Sequence, residues 1–143
     1  MAKSNLENKL LAVVRVRGTA KVRQSIAETL NRLNLKRVNN LVLLRGSTSN
    51  LGMVKKCNDF ITYGPIDEPT LKALLVKKEV VLNDEQVKEL FECKKSAKEL
   101  NIKVPFGMKP PRHGYEGVKA NVAAGGALGN RGEKIALLLK RMM

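Results

Sequence analysis

The hydrophobic positions in the first third of the chain alternate between short apolar runs and helical spacing. Residues 10–16 are apolar except for Arg15, which predicts a buried strand. Apolar residues then recur every three or four positions over 21–33, which predicts an amphipathic helix with Thr19 as its N-cap. A second apolar run predicts a strand over 38–44.

A second helix is predicted over 50–58 and a third strand over 60–63, closed by Gly64 and Pro65. Each predicted helix has one apolar face, so both helices should pack on the same side of the sheet. Right-handed connections place the first strand between the other two and antiparallel to the third. The predicted fold class is therefore α+β, with a β-α-β-α-β core related to the ferredoxin-like fold and a three-stranded antiparallel sheet.

Helices dominate the pattern beyond this core. Pro69 stands at the start of one predicted helix, and Asn83 or Asp84 caps the next. Prolines and glycines crowd residues 105–129, which predicts an irregular segment.

The last predicted element is an amphipathic helix that begins with a capping box formed by Asn130 and Glu133. We therefore expect two parts. Residues 1–65 form the β-α-β-α-β core, and residues 66–143 form a helical extension with proline- and glycine-rich loops.

The charge is unevenly distributed along the chain. The formal net charge is +14, and it resolves into +7 over 1–37, +2 over 38–64, zero over 65–104 and +5 over 105–143. The neutral middle is typical of a solvated helical surface, whereas both ends carry a large excess of positive charge. Such an excess makes an anionic polymer the expected partner.

The low aromatic content, 3% of the chain, limits how that polymer is bound. Proteins that capture single-stranded RNA by sequence stack its bases on exposed aromatic rings. With so few rings, contacts of Arg and Lys with phosphates and with the shape of folded RNA are the better hypothesis.

Catalytic and metal-binding functions find little support. His113 is the single histidine and has no paired nucleophile, and Cys57 and Cys93 are too few for a zinc site or a disulfide framework. The glycine run over 124–132 resembles a phosphate cradle but lacks the spacing of a P-loop. It either contacts nucleic acid through its backbone or is a surface loop that needs glycine for its turns.

The chain also lacks an apolar run long enough to cross a bilayer, so we expect a cytoplasmic protein without membrane contact. A free-standing nucleic-acid-binding regulator is the alternative function. A small acyl- or phosphoryl-transfer enzyme is a further one, with no motif in its favour.

Six stretches, in order and spacing, resemble one protein family: 11–18, 30–35, 37–40, 50–60, 109–115 and 125–131. They are similar to the L-thirty family of large-subunit ribosomal proteins in its long archaeal form, whose eukaryotic relatives are named L-seven. The resemblance covers nearly the whole chain, although Leu51 stands where the family commonly has an arginine.

The resemblance implies a non-enzymatic structural constituent of the large ribosomal subunit. It implies binding to large-subunit rRNA near the 5S rRNA, mainly by the core over 1–65, with other ribosomal proteins as neighbours. No cofactor, metal or homo-oligomer is expected.

The expected RNA contacts are basic residues in the first helix, in the turns and in the proline- and glycine-rich loops, together with glycines and polar residues of the same stretches. The basic ones are Arg17, Lys21, Arg23, Lys36, Arg37, Arg45, Lys55, Lys56, Lys109, Arg112, Lys119 and Arg131. The others are Gly52, Met53, His113, Gly125, Gly126, Gly129 and Asn130.

Overall fold

The computed structural model describes residues 9–18, 22–78, 83–92, 106–112, 114 and 125–142, with only the backbone described at Asn130 and Glu133. The core elements are β1 (Leu10–Arg15), α1 (Gln24–Arg32), β2 (Asn40–Arg45), α2 (Thr48–Lys56) and β3 (Ile61–Pro65). The later elements are α3 (Glu68–Lys77), α4 (Asp84–Phe91), β4 (Phe106–Gly107), β5 (Gly129–Asn130), a 3-10 turn (Gly132–Lys134) and α5 (Ile135–Met142).

The strands form one sheet in the order β4-β2-β1-β3-β5. As predicted, β1 lies between β2 and β3 and is antiparallel to both, with Leu10 opposite Arg45 and Leu11 opposite Pro65. The two short strands of the extension add to the edges, β4 antiparallel to β2 and β5 parallel to β3. The α+β fold with an antiparallel core is confirmed, and the extension completes the core's sheet.

Strand β1 is buried on both faces of this sheet. Leu11 and Val13 pack in the cluster formed by α1 and α2, whereas Ala12 and Val14 pack in the cluster formed by α3, α4 and α5. Because successive side chains of a strand point to opposite faces, the sheet is the middle of three layers. This explains why β1 is apolar throughout instead of alternating.

Both core helices begin elsewhere than predicted. Helix α1 begins at Gln24 because Arg23 has the extended ψ of 141°, while Thr19 and Lys21 lie outside the described residues. Helix α2 begins at Thr48 because the Ser47 hydroxyl caps it by accepting the Asn50 N–H at 3.3 Å.

The core strands also differ slightly from the predicted ranges. Strand β2 begins at Asn40 because Asn39 has a φ of +66°, which interrupts the extended backbone. Strand β3 continues through Gly64 and Pro65. A Cβ at Gly64 would collide with the carbonyl oxygen of Gly132, so the glycine lets the 3-10 turn lie directly on β3.

The helix starts predicted in the extension are confirmed for α3 and α4. Pro69 lies in the first turn of α3, and at the start of α4 the Asn83 N–H donates to Oε1 of Gln86 at 3.1 Å. The predicted start of the last helix is wrong, because Asn130 belongs to β5 and the 3-10 turn intervenes before α5. Its predicted apolar stripe is buried, as expected: Ile135, Leu138, Leu139 and Met142.

The segment over 105–129, predicted to be irregular, contributes β4 and the first residue of β5. Strands of two residues are too short to produce an alternating pattern in the sequence. In the described part of the chain, no helix has both the length and the apolar content needed to cross a bilayer.

Candidate nucleic-acid interface

Arg15, the last residue of β1, is a buried cation with only 2% of its surface exposed. Its Nη1 donates to the carbonyl oxygen of Leu35 at 2.6 Å, and its Nε donates to that of Arg17 at 2.9 Å. Its own carbonyl accepts the Asn39 N–H at 2.8 Å. Burial lowers the pKa of Arg15, because removal from water disfavours its charge. One side chain thus holds the end of β1 to the segment between α1 and β2.

That segment presents two cations. Asn34 and Asn39 have φ values of +61° and +66°, a left-handed conformation that asparagine tolerates better than most residues. Lys36 and Arg37 lie between these two turns, and both are exposed. The turns and the Arg15 hydrogen bond together fix the backbone from which the two cations extend.

Arg17 is attached to the turn between α2 and β3. Its guanidinium lies over the ring of Phe60, 5.3 Å from the centroid, which is a favourable cation–π distance. The Arg17 N–H also donates to the carbonyl of Phe60 at 3.2 Å. The charge of Arg17 is therefore placed at the end of the sheet where α2 finishes.

Cys57 is the C-cap residue of α2 and contacts the start of α1. It is buried, and its Sγ lies 3.9 Å from the carbonyl oxygen of Ile26 in the first turn of α1. Burial raises the pKa of the thiol, and the charges of Lys56 and Arg15 act in the opposite direction. The start of α1, the end of α2 and the end of β1 therefore meet around Cys57.

Six basic side chains belong to the chain segments at this end of the sheet, and we call them the basic patch: Arg17, Arg23, Lys36, Arg37, Lys55 and Lys56. All are exposed except Arg17, which is half-buried against Phe60. Within three residues along the chain of these six positions, Asp59 is the one acidic side chain among the described residues. The patch is thus strongly positive.

Gly52 lies on the outer face of α2 beside this patch. Lys55 and Lys56 follow it by three and four residues, so all three share one side of the helix. A Cβ at Gly52 would have no neighbour within 4 Å, so the fold does not require glycine there. Met53, in contrast, is half-buried against the apolar cluster beneath α2. Because Gly52 has no side chain, the surface of α2 next to Lys55 and Lys56 is open.

Arg45 lies at the other end of the sheet. It ends β2 opposite Leu10, whereas the basic patch surrounds the far end of β1. Its side chain is exposed, and its carbonyl accepts from Nδ2 of Asn50 at 2.9 Å. The structure does not bring this predicted contact together with the others of the core.

Two predicted contacts lie in the proline-rich loop after β4. Lys109 and Arg112 are exposed. The Arg141 guanidinium donates through Nε to the carbonyl of Arg112 at 2.8 Å and through Nη2 to that of Gly114. The Arg112 N–H donates back to the carbonyl of Arg141 at 3.1 Å. The loop is thus fastened to α5, while His113, Lys119 and Lys21 lie outside the described residues.

Arg131, predicted to contact RNA, is buried and bonded within the protein. Its Nε donates to the hydroxyl of Thr62 at 2.9 Å, and its Nη2 donates to the carbonyl of Ala127 at 3.4 Å. The Thr62 hydroxyl in turn donates to the carbonyl of Gly129 at 3.1 Å. These bonds dock β5 onto β3, so the placement of Arg131 differs from that of a surface phosphate contact.

The other glycines of this segment divide between the fold and the surface. Gly126 and Gly129 are buried, and the backbone of Asn130 pairs with Tyr63. Gly125 is exposed, with a φ of +83° that favours glycine. Of the three glycines, Gly125 is therefore the exposed one, and Gly126 lines a groove beside α5.

Three candidate residues were missed by the sequence reasoning: Lys134, Lys140 and Arg141. They line a groove of about 640 Å³ together with three residues that were predicted, Gly125, Gly126 and Arg131, and with Leu137 and Leu138. The signal was present, since Lys134 and Arg141 are seven residues apart and so share one side of the final helical segment. In the sequence they stood out only as residues outside the apolar stripe.

Aromatic and metal-binding groups contribute little to the described surface. Phe60 and Phe91 are half-buried, and Tyr63 and Phe106 are buried. Burial raises the pKa of Tyr63. No cluster of three His, Cys, Asp or Glu side chains that could hold a metal ion occurs among the described residues.

Comparison with known proteins gives consistent matches. Residues 11–61 match the family model for ribosomal protein L30p/L7e. Large ribosomal subunit protein uL30 of Methanococcus maripaludis is 42% identical over 151 aligned positions, covering 92% of this chain and 98% of the relative. The uL30 protein of Nanoarchaeum equitans is also 42% identical, covering 92% and 97% of the two chains. That of Methanobrevibacter smithii is 36% identical, covering 94% and 100%.

The fold and the basic patch define a small, basic α+β protein built on an antiparallel β-α-β-α-β sheet. The relatives add nearly full-length similarity to archaeal proteins. The chain belongs to the ribosomal protein L30p/L7e family, the uL30 proteins.

Proposed function

We propose that this protein is a non-enzymatic structural constituent of the large ribosomal subunit in the cytoplasm. In this proposal it binds large-subunit rRNA near the 5S rRNA, beside other ribosomal proteins and as a single copy. The relatives that align over nearly their whole length carry the name of a large-subunit ribosomal protein, which supports the assignment.

The basic patch is the observation that carries the RNA-binding part of the proposal. Six cations from three segments are gathered at one end of the sheet, and the backbone beneath two of them is tied down by Arg15. Cations held on a fixed backbone lose less conformational entropy when they bind phosphates. The patch therefore suits a rigid, densely charged partner such as folded RNA.

The open surface at Gly52 supports close contact between α2 and that partner. Glycine in a helix interior costs about 1 kcal/mol relative to alanine, and no neighbour in this protein requires it. A sugar-phosphate backbone lying against Gly52 would be within reach of Lys55 and Lys56. The close approach of an RNA backbone explains why glycine stands at position 52, although the isolated fold does not need it there.

The mode of binding is contact with phosphates and RNA shape. In the described part of the chain, each aromatic ring is at least half-buried, and the ring of Phe60 serves as a platform for Arg17. Such rings are poorly placed to stack bases. In the proposal, residues 1–65 supply the main contacts and residues 66–143 add Lys109 and Arg112.

The salt dependence of binding to a large-subunit rRNA transcript tests this proposal. With six or more phosphate contacts, affinity should fall by roughly 10³-fold or more between about 50 and 200 mM salt. The K36A/R37A variant should lower the slope of log affinity against log salt by roughly 0.9 for each phosphate that it no longer neutralises. K77A/K88A removes the same charge from exposed positions of α3 and α4 and is the matched control. A flat salt response, or equal slopes for the two variants, would overturn the proposal.

A further inference from the structure

An apolar groove of about 430 Å³ lies at the end of the sheet where β1 begins and β3 ends, and we call it the α4 groove. Leu10 and Ile66 are its buried floor, and the Ile66 N–H donates to the carbonyl of Leu10 at 3.1 Å. Pro65 and Phe91 line its sides, and both are half-buried. The groove therefore offers partly exposed apolar surface, with room for an apolar side chain of a partner.

The α4 groove is distant from the basic patch. It lies at the start of β1, whereas the patch belongs to the segments at the other end of this strand. Leu10 and Arg15 are separated by roughly 17 Å, at about 3.3 Å per residue of strand. The contacts of the extension with Asn39 and Val16 also lie at the patch end. The α4 groove is thus at the end of the sheet that the patch does not use.

The helices beside the groove are acidic. Residues 65–72 and 84–92 hold six acidic and two basic side chains, a net charge of −4 in a chain of +14. The two basic ones are Lys72, whose Nζ lies 3.6 Å from Oε1 of Glu68, and Lys88. The zero net charge over 65–104 therefore combines an acidic part beside the groove with a basic remainder.

The acidic charge is concentrated on the helix side of the groove. Asp67 and Glu92 line it and are exposed, and Glu89 precedes Glu92 by three residues, on the same side of the helix. The strand side carries two cations, because Lys9 lines the groove and Arg45 ends the neighbouring strand β2. A positively charged partner would therefore lie along the helix side.

These features define the chemistry of the partner. RNA is disfavoured, because its phosphates would meet the carboxylates of Asp67 and Glu92. A second copy is disfavoured by the repulsion between two chains of +14. A Lys- and Arg-rich protein segment fits, since its charges complement the carboxylates and an apolar side chain can enter between Pro65 and Phe91.

We propose that the α4 groove binds a Lys- and Arg-rich segment of a neighbouring protein in the large subunit, which places one apolar side chain against Phe91. The proposal rests on the function proposed above, because it takes the neighbour to be another ribosomal protein. This protein then presents two different surfaces, the basic patch toward RNA and the α4 groove toward a protein.

Photocrosslinking within the large subunit tests this inference. The tagged full-length protein carries the photoreactive amino acid benzoylphenylalanine at position 9, which lines the groove, and is expressed in an archaeon with a similar uL30, such as Methanococcus maripaludis. In purified large subunits we expect a crosslink to a protein segment with an excess of Lys and Arg. D67N/E92Q should lower the yield of this crosslink severalfold. D84N/E85Q loses the same charge at the start of α4 and should leave the yield unchanged.

The outcomes separate this inference from the proposed function. Crosslinks only to rRNA, to a second copy or to a segment without a basic excess would contradict the inference, as would an absent crosslink. A yield that D67N/E92Q leaves unchanged would contradict it as well. Unfolding midpoints verify that each variant is folded, and the same gradients measure cosedimentation with large subunits. Protein that lacks the crosslink but sediments with the subunits contradicts the inference alone, whereas wild-type protein outside the subunits contradicts the proposed function.

Discussion

The guanidinium of Arg15 lies 2.6 Å from the carbonyl oxygen of Leu35, and the same side chain reaches the carbonyl of Arg17. A buried cation is costly to keep, and here it is satisfied by backbone oxygens. The bonds fix two chain segments from which Arg17, Lys36 and Arg37 extend. Arg15 is in this sense a positioning residue for the basic patch.

Replacing Arg15 by methionine should destabilise the protein and weaken RNA binding together. The substitution leaves two carbonyl oxygens without their donor, at a cost of about 1–3 kcal/mol in the free energy of unfolding. Urea denaturation measures this cost, and the affinity for an rRNA transcript is measured where the variant is folded. Arg15→Lys keeps the charge but not the forked geometry, so it should recover only part of both properties. Unchanged RNA affinity in a destabilised Arg15→Met would argue against the positioning role.

Substitutions at Gly52 should affect stability and RNA binding in opposite directions. Gly52→Ala should raise stability by up to about 1 kcal/mol, because alanine is the better helix former and the added Cβ meets no neighbour. Gly52→Gln should keep part of this gain but lower RNA affinity by blocking close approach. Thermal unfolding and RNA titration check the two effects. Full RNA affinity in Gly52→Gln would show that no partner lies against this position.

Gly64→Ala should destabilise the packing of the extension against the core. Its Cβ would collide with the backbone oxygen of Gly132 and crowd Ile135, and overpacking of this kind costs about 1–3 kcal/mol. Gly107→Ala is the matched control, because a Cβ there has no neighbour within 4 Å. Denaturant midpoints should fall for the first variant and stay nearly unchanged for the second. Equal midpoints would contradict the close packing of the 3-10 turn on β3.

Stability should decline in alkaline solution. Burial raises the folded-state pKa of Cys57 above its ordinary value of 9.0, and it also raises the pKa of Tyr63. The stabilisation from the protonated thiol is therefore complete below pH 9.0 and is lost as the pH rises through the folded-state pKa. Unfolding free energies measured across this range should fall with pH, and less steeply in Cys57→Ala. The same slope in both proteins would show that the thiol is not responsible.

Much of the fold was predictable because it depends on local patterns. The apolar run of β1, broken only by Arg15, indicated a buried strand, and the stripe through Ile135 and Leu139 indicated the last helix. The two-residue strands at Phe106 and Gly129 were not predictable. They exist through pairing with β2 and β3, which no local pattern records.

The sequence predicted that the candidate site consists of basic residues, but it did not predict which of them lie together on the surface. Basic residues are common on any surface, so their sequence positions do not distinguish Arg37, which is exposed, from Arg131, which is buried against Thr62. That difference depends on the docking of β5 onto β3. The role of Arg15 was not predictable either, because its partners are backbone carbonyl oxygens, which every residue has.

Cosedimentation with large ribosomal subunits tests the central claim most directly. The tagged wild-type protein, expressed in an archaeon with a similar uL30 such as Methanococcus maripaludis, should sediment with large subunits at moderate salt, and so should K77A/K88A. K36A/R37A should be depleted from the subunit fraction relative to both. Wild-type protein that stays at the top of the gradient, apart from the large subunits, would contradict the account.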